Sequence, residues 1–502
     1  MNQAINNQTS KSIFRNVVYG SLTWILPIGL GFVATPIIVR SLGNSDYGIY
    51  ALVLGFISYS FTFNFGRAIT KYIAEYRVTG ESEKIRDVVS ASFFLNIVIG
   101  LIGVFVMCLS AGWLVRTVFN IEPEAQHKTI TAIYIASGII FLWMLSQVFT
   151  SVLQGIQRFD VYSKIFTANS FVLTLGNLAL AYFGYGLLSL LTWNIVVLSA
   201  FFIVFGYAAR RLLPEFGITF KFNSETLKLV LRYSSAIVAT QLLANLLLLF
   251  ERGFITHRLG PESLTYYVVP MSLGLYLHGF VASLVQVVFP LASELKNEPE
   301  KLLRLYSKAT KVICLLVVFV VVSVSVESSL FLRLWMGEAF AVNSASLLVL
   351  HITCFGLIAI VSVAWQMTEG LGRPQFNAIA TAVCTTIGIS LMILLSNGLG
   401  NFGVALARLI AFIVMFFSIF VVEKMFFKKM QFRFWLALTG NLALAAITAA
   451  AVEYSISSSL PSNWPSLILA IFVGGLVYCL ILWLLNFVTE DDKLLVKRIF
   501  NS

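Results

Sequence analysis

Charged residues are scarce in this chain. Asp, Glu, Lys and Arg make up only 11% of the 502 residues, whereas 59% of the residues are hydrophobic. Because a water-soluble domain cannot bury so large an apolar fraction, the composition excludes an ordinary cytosolic enzyme, a disordered protein and a secreted disulfide scaffold. The apolar runs are continuous rather than alternating, which favours helices over a barrel. We therefore expect an all-α integral membrane protein.

The chain also lacks the residue patterns that carry reaction chemistry. Its five cysteines lie inside apolar runs, its four histidines are scattered, and neither type has metal-ligand spacing. There is no GxxxxGK[ST] loop, which excludes a built-in ATPase, and no HExxH or GxSxG motif. The longest outer connection, around 112–128, is too short for a catalytic domain. These absences predict a protein that is not an enzyme and holds no metal.

Long apolar runs predict about fourteen transmembrane helices, each of roughly 20 residues or more. The runs lie near 17–39, 48–70, 88–111, 129–152, 163–183, 186–208, 229–250, 264–290, 309–332, 345–367, 376–397, 403–422, 435–456 and 465–488. The first run is too long for a signal-peptide core and has no small-residue cleavage site after it. We therefore expect it to remain as the first span.

Basic residues are unequally divided between the two sets of connecting segments. One set holds most of the 34 Lys and Arg residues. The other holds only Arg40, Arg116, Lys128, Arg252, Arg258 and Arg333. Because short loops rich in Lys and Arg stay in the cytoplasm, we expect both termini there. The net charge of +11 is then explained by anionic lipid headgroups, and nucleic-acid binding is not expected.

Four short matches indicate an internal repeat. Arg15 recurs as Arg232, Leu42-Gly43 as Leu259-Gly260, and 81–84 as 298–301, all at one identical separation along the chain; 155–158 recurs as 370–373 at nearly the same separation. Two halves with an even number of spans insert in the same orientation, so a pseudo-two-fold axis along the membrane normal relates them, with the substrate path between. We expect pseudo-symmetric six-helix lobes at 1–212 and 213–430 and a C-terminal helix pair in 431–502.

The opening of the chain resembles a known transporter family. The matching residues are Arg15-Asn16, 35–43, 46–51, 64–67 and Lys71-Tyr72, together with Gly-x-x-Arg loops at 155–158 and 370–373. They are similar to the polysaccharide, or O-antigen, flippases of the multidrug/oligosaccharidyl-lipid/polysaccharide exporter superfamily. The fourteen-span topology extends the resemblance over the whole chain, while the sharp motifs lie mainly between Arg15 and Tyr72.

The resemblance implies a flippase in a bacterial inner membrane. Its expected substrate is an undecaprenyl-diphosphate-linked oligosaccharide, the repeat unit of O-antigen, capsule or exopolysaccharide, which crosses to the outer leaflet by alternating access. Other polysaccharide assembly proteins are the expected partners. No cofactor is expected, and coupling to H⁺ or Na⁺ and to the membrane potential stays open.

Two alternatives to a flippase stay open. A multidrug or cation antiporter of the same superfamily would use a membrane-buried carboxylate, whereas Asp and Glu here fall in loops or at span ends. A membrane polymerase or ligase of polysaccharide assembly belongs to a different class of protein, and the short outer loops disfavour it.

Arginine is the expected ligand of the diphosphate, because its planar fork can hold phosphate oxygens bidentately. Arg67 and Arg408 lie inside apolar runs, where a charge normally marks a wet path, although snorkelling to the interface is the alternative. Further candidates are Arg40, Asp46, Arg252 and Arg258 at the outer ends of spans 1 and 7, and Arg15 and Arg232 at the inner mouth. Interfacial salt bridges and lipid anchoring explain these equally well.

Polar residues within the spans are weaker candidates. Asn245, Asn377, Thr381 and Thr385 could bind a coupling cation, although such residues more often make interhelical hydrogen bonds. Gly474-Gly475 in span 14 leaves room for a polyprenyl chain or for a close helix crossing.

Overall fold

The computed structural model describes residues 26–61, 66–219 and 224–487, and within these ranges the chain is helical with no β-strand. The helices are α1 Leu26–Leu42, α2 Asn44–Phe61, α3 Gly66–Thr79, α4 Ser82–Trp113, α5 Pro123–Gly155, α6 Phe159–Tyr182, α7 Leu187–Leu212, α8 Ser224–Val285, α9 Val288–Glu294, α10 Pro299–Val326, α11 Ser328–Trp335, α12 Glu338–Gly370, α13 Gln375–Phe412, α14 Phe417–Val421, α15 Phe432–Ser459 and α16 Trp464–Leu484. Helices satisfy their own backbone hydrogen bonds, as a lipid environment requires. The all-α class is confirmed.

Single residues set several helix boundaries. Pro123 and Pro299 occupy the first turns of α5 and α10, where a missing N–H costs nothing. Asn463 caps α16, since its side-chain oxygen accepts a hydrogen bond from the Ser466 N–H at 2.9 Å. These local signals end the polar connections and start the apolar helices.

Ten helical segments in the described ranges are long and apolar enough to cross a membrane. Two of them are unusually long: Gln241–Val285 has 45 residues and Gln375–Phe426 has 52. Each is interrupted by one non-helical glycine, Gly260 or Gly400. Because a crossing needs about 20 residues, each long segment can hold two of the predicted spans. The total of fourteen stays a prediction.

The chain divides into two compact units, Met1–Thr265 and Tyr266–Ser502. A core cluster of the first unit joins α3, α4, α5 and α7 through Ile69, Val89, Phe149 and Phe205. Apolar clusters of the second unit join α10 to α12 and α10 to α15 and α16. The lobe boundaries expected from the repeat, 1–212, 213–430 and 431–502, stay predictions.

Local geometry recurs where the sequence repeats. Gly43 and Gly260 both have a positive φ, 80° and 84°. Glu81–Lys84 and Glu298–Lys301 each form an ion pair at the same spacing within a helical turn. Since a positive φ is confined to a few residues in a chain, its recurrence at equivalent positions supports the internal repeat. Arg15 cannot be compared with Arg232, because it lies outside the described residues.

The Gly-x-x-Arg loops after α5 and α12 have the same backbone conformation. Gln157 and Gly372, which occupy equivalent positions in the two loops, have φ values of 59° and 78°. The next residue in each loop, Arg158 or Arg373, donates its N–H to the carbonyl five residues earlier, at 2.9 Å in both. Both helices therefore end in the same left-handed capping turn.

The C-terminal helices α15 and α16 pack closely against each other and against α10. Leu442, Ala446 and Tyr478 lie in their shared apolar cluster. A Cβ atom at Gly474 would overlap the Glu453 carboxyl group, and one at Gly475 would lie 3.1 Å from Cζ of Phe319. Side chains of this unit thus fill the space beside both glycines. Of the two possibilities that the sequence left open for Gly474 and Gly475, the structure has close helix packing rather than a groove.

Candidate functional site

A cavity of about 350 Å³ lies in the first unit, with walls from α2, α5 and α8. Its lining residues are Leu54, Ile57, Ser58, Tyr59, Ile139, Ile140, Trp143, Gln241 and Asn245. Within each helix these positions are one, three or four residues apart, so each helix presents one face to the cavity. Two aromatic rings, two amides and two hydroxyls, those of Ser58 and Tyr59, are set in an otherwise aliphatic wall. This combination is typical of a site for a polar organic molecule.

Asn245 joins two walls of the cavity. Its amide nitrogen donates a hydrogen bond to the carbonyl oxygen of Tyr59 at 3.2 Å, which ties α8 to α2. Gln241 lies one turn earlier on the same face of α8. The predicted role of Asn245 in cation binding stays a prediction, but the residue does belong to a cavity wall.

Arg252 lies two turns beyond Asn245 on α8 and is tied to α2. Its Nη1 donates to the carbonyl oxygen of Ala51 at 2.7 Å, and its guanidinium carbon lies 5.3 Å from the ring centroid of Tyr59. A Cβ atom at Gly55 would lie only 2.6 Å from Nη1, so a larger residue there would displace the Arg252 side chain. Arg252 is therefore a half-buried cation that contacts a residue of the cavity wall.

The side chain of Arg252 has further donors besides Nη1. Its Nε is buried and has no hydrogen-bond partner among the described residues. A buried N–H without an acceptor is costly, and such groups commonly mark a place where a ligand or water binds. Of the predicted arginines, Arg252 therefore has the geometry best suited to a phosphate oxygen near the cavity.

The other residues predicted at the outer ends of spans 1 and 7 are placed differently. Asp46 accepts an ion-pair hydrogen bond from Lys128 of α5 at 2.6 Å. Arg258 is exposed, with its guanidinium 5.9 Å from the ring centroid of Phe254, and Arg40 is exposed at the end of α1. The Asp46 pair has the geometry of an interfacial salt bridge, the alternative considered from the sequence.

The loop after α1 nevertheless meets the corresponding loop around Gly260. The Thr265 hydroxyl donates to the carbonyl oxygen of Asn44 at 2.6 Å, and the Asn44 amide donates to Glu262 at 3.3 Å. A Cβ atom at Gly48 would overlap the carbonyl of Pro261. These two segments are therefore in contact, and of the charged residues predicted at these helix ends only Arg252 contacts a residue of the cavity wall.

Arg67 and Arg408, predicted together as path residues, occupy different surroundings. Arg67 is the second residue of α3 and is exposed. Arg408 of α13 is fully buried in the second unit, where Nη1 lies 3.2 Å from Sδ of Met271 and the guanidinium carbon lies 5.5 Å from the ring centroid of Phe355. Arg232 is exposed on α8, and Arg15 lies outside the described residues.

The polar residues predicted on span 11 make hydrogen bonds within the second unit. Asn377 donates to the carbonyl oxygen of Trp365 at 3.1 Å and accepts from the Ser418 hydroxyl at 3.1 Å. Thr381 donates to the carbonyl oxygen of Asn377 at 2.9 Å, and Thr385 is buried. These bonds join α13 to α12 and α14, as the alternative explanation expected. Their role in cation binding stays a prediction.

Buried carboxylates are the polar feature that the sequence reasoning missed. It placed Asp and Glu in loops or at span ends and expected no buried carboxylate, whereas Glu453, near the end of α15, is fully buried. Glu423 is also fully buried and accepts hydrogen bonds from Tyr306, Gln431 and Trp435 at 2.8, 2.7 and 2.6 Å. The sequence does contain an indication of this buried carboxylate, since Glu453 is the one charged residue between 434 and 488.

The sequence matches one family model and a named transporter. The family described as "Polysaccharide biosynthesis protein" matches residues 37–345. A protein of Shigella flexneri that is named as a candidate O-antigen transporter is 21% identical over 400 residues, which are 79% of this chain and 94% of that protein.

The fold is similar to solved membrane transporters. The lipid II flippase MurJ in an inward closed conformation has a TM-score of 0.73 at 16% identity, covering 93% of this chain and 98% of MurJ. An inward-facing multidrug resistance transporter of the MATE family and MOP superfamily has a TM-score of 0.63 at 18% identity, covering 81% and 92%. The predicted superfamily fold is confirmed.

Proposed function

Because this chain belongs to the polysaccharide biosynthesis protein family and is a membrane transporter of the MOP superfamily, we propose that it flips an undecaprenyl-diphosphate-linked oligosaccharide. The cargo moves from the inner to the outer leaflet of a bacterial inner membrane, with both protein termini in the cytoplasm. The repeat unit of O-antigen, capsule or exopolysaccharide is the substrate class, and other polysaccharide assembly proteins supply and receive it.

The observation that carries this proposal is the polar, aromatic cavity with Arg252 beside it. Trp143 and Tyr59 supply aromatic rings that suit the apolar C–H faces of a sugar, while the amides of Gln241 and Asn245 can hydrogen-bond its hydroxyls. The guanidinium of Arg252 can donate two parallel hydrogen bonds to diphosphate oxygens. One set of side chains thus suits both parts of the proposed headgroup.

Transport then proceeds by alternating access. The sugar-diphosphate head enters a polar cavity that opens inward, and the protein rearranges to open outward while the polyprenyl tail stays in the bilayer. The membrane potential helps, because moving one charge across it is worth about 2.3 kcal/mol per 100 mV and the anionic head moves toward the positive outside. The head is exported downhill in this field, and a counter-moving cation would add to the drive.

Deletion of the gene is the first test. We expect the deletion strain to accumulate lipid-linked oligosaccharide in the inner leaflet, where an impermeant lectin or glycosidase cannot reach it. Expression of the wild-type chain should restore access. Normal surface polysaccharide without accumulation would contradict the flippase function, and drug sensitivity alone would favour the antiporter.

A pair of tryptophan variants tests the cavity itself. Trp143→Ala removes a ring from the cavity wall, whereas Trp113→Ala removes a ring that is exposed on α4. We expect only Trp143→Ala to lower export at an unchanged level of inserted protein. Equal export by both variants would show that the Trp143 ring of the cavity wall does not contribute to substrate binding.

A further inference from the structure

Two serine–glutamate pairs join α10 to α15 in the second unit. The Ser323 hydroxyl of α10 donates to Oε1 of Glu453 on α15 at 2.7 Å. One turn further along, the Ser457 hydroxyl of α15 donates to Oε1 of Glu327, the residue that follows α10. Each helix thus contributes one serine and one glutamate. Glu453 and Glu327 are only 0% and 2% exposed, so both carboxyl groups are inside the packed unit.

Among the residues that the structure describes, the groups that face this pair carry no positive charge. The charged residues of α10 lie in its first half, from Glu300 to Lys311, and the other charge of α15 is Arg433, about 30 Å away along the helix axis. Helix α16 has no charged residue; its titratable groups are Tyr478, which donates to the Leu315 carbonyl, and the exposed Cys479.

The adjoining helix α11 supplies no counter-charge either. Its basic residue, Arg333, is paired with Glu338 at 2.6 Å on the exposed surface. The groups that surround the two carboxyls are therefore serine hydroxyls, apolar side chains and the bare backbone at Gly474.

One carboxyl oxygen has an open hydrogen-bond position. Oε2 of Glu453 is buried and has no hydrogen-bond partner among the described residues. The carboxyl group lies against Gly474, which leaves the room that a side chain would fill. An ionised carboxylate buried without a counter-charge is strongly disfavoured, whereas the neutral acid avoids most of this desolvation cost. A second carboxyl one turn away adds repulsion between the charged forms.

We propose that Glu453 and Glu327 form a proton-binding pair that takes up and releases one proton at Oε2 of Glu453 during transport. Uptake converts the carboxylate and one proton from water to the neutral acid, and release reverses this step. The part of the proposal that concerns transport rests on the proposed flippase function. On the predicted orientation, α10 runs outward and its C-terminal end lies near the outer surface, so the pair lies near that surface too.

Proton occupancy would act through helix packing. With a proton bound, the pair is neutral and α15 and α16 can stay packed on α10. Loss of the proton places a charge in that apolar contact and favours a state in which water reaches the carboxyl group. The C-terminal helix pair, which the sequence repeat does not explain, thereby acquires a role in ion coupling.

Infrared spectroscopy of the purified protein tests proton binding without any substrate. We expect a protonated-carboxyl stretching band that disappears as the pH is raised, and we expect Glu453→Gln to abolish it. Glutamine keeps an acceptor oxygen for Ser323, so we expect the fold to be preserved. Glu300→Gln changes an exposed carboxylate on the same unit and is the matched control. An unchanged band in Glu453→Gln would overturn the proposal.

A second variant keeps the test valid if Glu453→Gln fails to fold. Glu327→Gln removes the neighbouring charge and leaves Glu453 in place, so the band should disappear at a lower pH than in the wild-type protein. If the band disappears at the same pH in Glu327→Gln and in the wild-type protein, the two carboxyls do not act as a pair. That result would overturn the proposal of a proton-binding pair.

Transport assays then separate the two proposals. In proteoliposomes with an imposed pH gradient, Glu453→Gln should lose the response of flipping to the gradient while flipping without a gradient continues. A full gradient response in this variant would overturn coupling through the pair. Absence of flipping by the wild-type protein would instead contradict the proposed function, and the infrared result would still decide whether the pair binds a proton.

Discussion

Arg252 and Tyr59 contact each other across α8 and α2, with 5.3 Å between the guanidinium carbon and the ring centroid. Tyr59 also lines the cavity and accepts the amide hydrogen bond of Asn245 through its carbonyl oxygen. The cation, the aromatic wall and the amide therefore form one connected group within the first unit. A change at any of them is expected to affect the same binding step.

Arg252 is the most informative position for mutation. We expect Arg252→Ala to abolish export at a normal protein level, because the fork for the diphosphate and the contact with Tyr59 are both lost. Arg252→Lys should restore only part of the export, since it keeps the charge but not the two parallel donors. Cell-surface polysaccharide and membrane-inserted protein are measured together. Arg116→Ala, at an exposed arginine of the same unit, is the control, and full export by Arg252→Ala would refute the assignment.

Substitutions of Arg67 and of Arg408 should have different effects on the stability of the protein. Arg408→Ala leaves a cavity in a fully buried region and should lower the free energy of unfolding by about 2–5 kcal/mol. Arg67→Ala changes an exposed side chain and should stay within about 0.5 kcal/mol of the wild type. Thermal unfolding in detergent measures both. If the two arginines hold diphosphate, both variants also lose export; unchanged stability in Arg408→Ala would contradict the buried position.

The topology prediction can be tested at the two ends of the chain. Single cysteines at Asn2 and Asn501, in a variant that lacks the five native cysteines, should be shielded from impermeant thiol reagents in intact cells. The reason is the excess of Lys and Arg in one set of connecting segments. Permeabilised cells provide the positive control. Labelling of either cysteine in intact cells would overturn the even number of spans or the inward orientation.

The sequence predicted the helical class and the repeat because both depend on patterns that are visible along one chain. Apolar runs of membrane-spanning length determine the class, and Gly43 and Gly260 mark turns that only a few residue types permit. Gly260 and Gly400 lie between consecutive predicted spans and are the non-helical residues that divide the two long helical segments, so one residue takes the place of an expected loop.

The cavity could be predicted only in part. Arg252 and Asn245 were expected to be functional because of their type and position, yet Tyr59, Trp143 and Gln241 look like ordinary span residues in a sequence. Their significance depends on three helices meeting, which requires tertiary structure. Glu453 was missed for a related reason: its nearness to a predicted span end suggested an interfacial position, while packing against α10 and α16 buries it.

The packing of α16 on α15 predicts a contrast between two glycines. Gly474→Ala places a methyl group on the Glu453 carboxyl and should destabilise the protein by about 1–3 kcal/mol. At Gly440 of α15 an added methyl group meets no atom within 4 Å, so Gly440→Ala should change stability by no more than about 1 kcal/mol. Thermal unfolding of both variants in the same detergent measures the difference. Equal stability would show that α16 does not approach Glu453 so closely.

The two capping turns predict stability changes of opposite sign. Gln157 and Gly372 both have a left-handed backbone and exposed positions, so neither side chain contributes to packing. A non-glycine residue in this conformation costs about 1 kcal/mol relative to glycine. Gly372→Gln should therefore lower the unfolding temperature and Gln157→Gly should raise it, in both cases by less than this cost implies, because glycine has more entropy in the unfolded chain. Differential scanning measurements on the two variants and on the double exchange check the signs. Two changes of the same sign would mean that the loops do not share one backbone design, and would remove the strongest local support for the repeat.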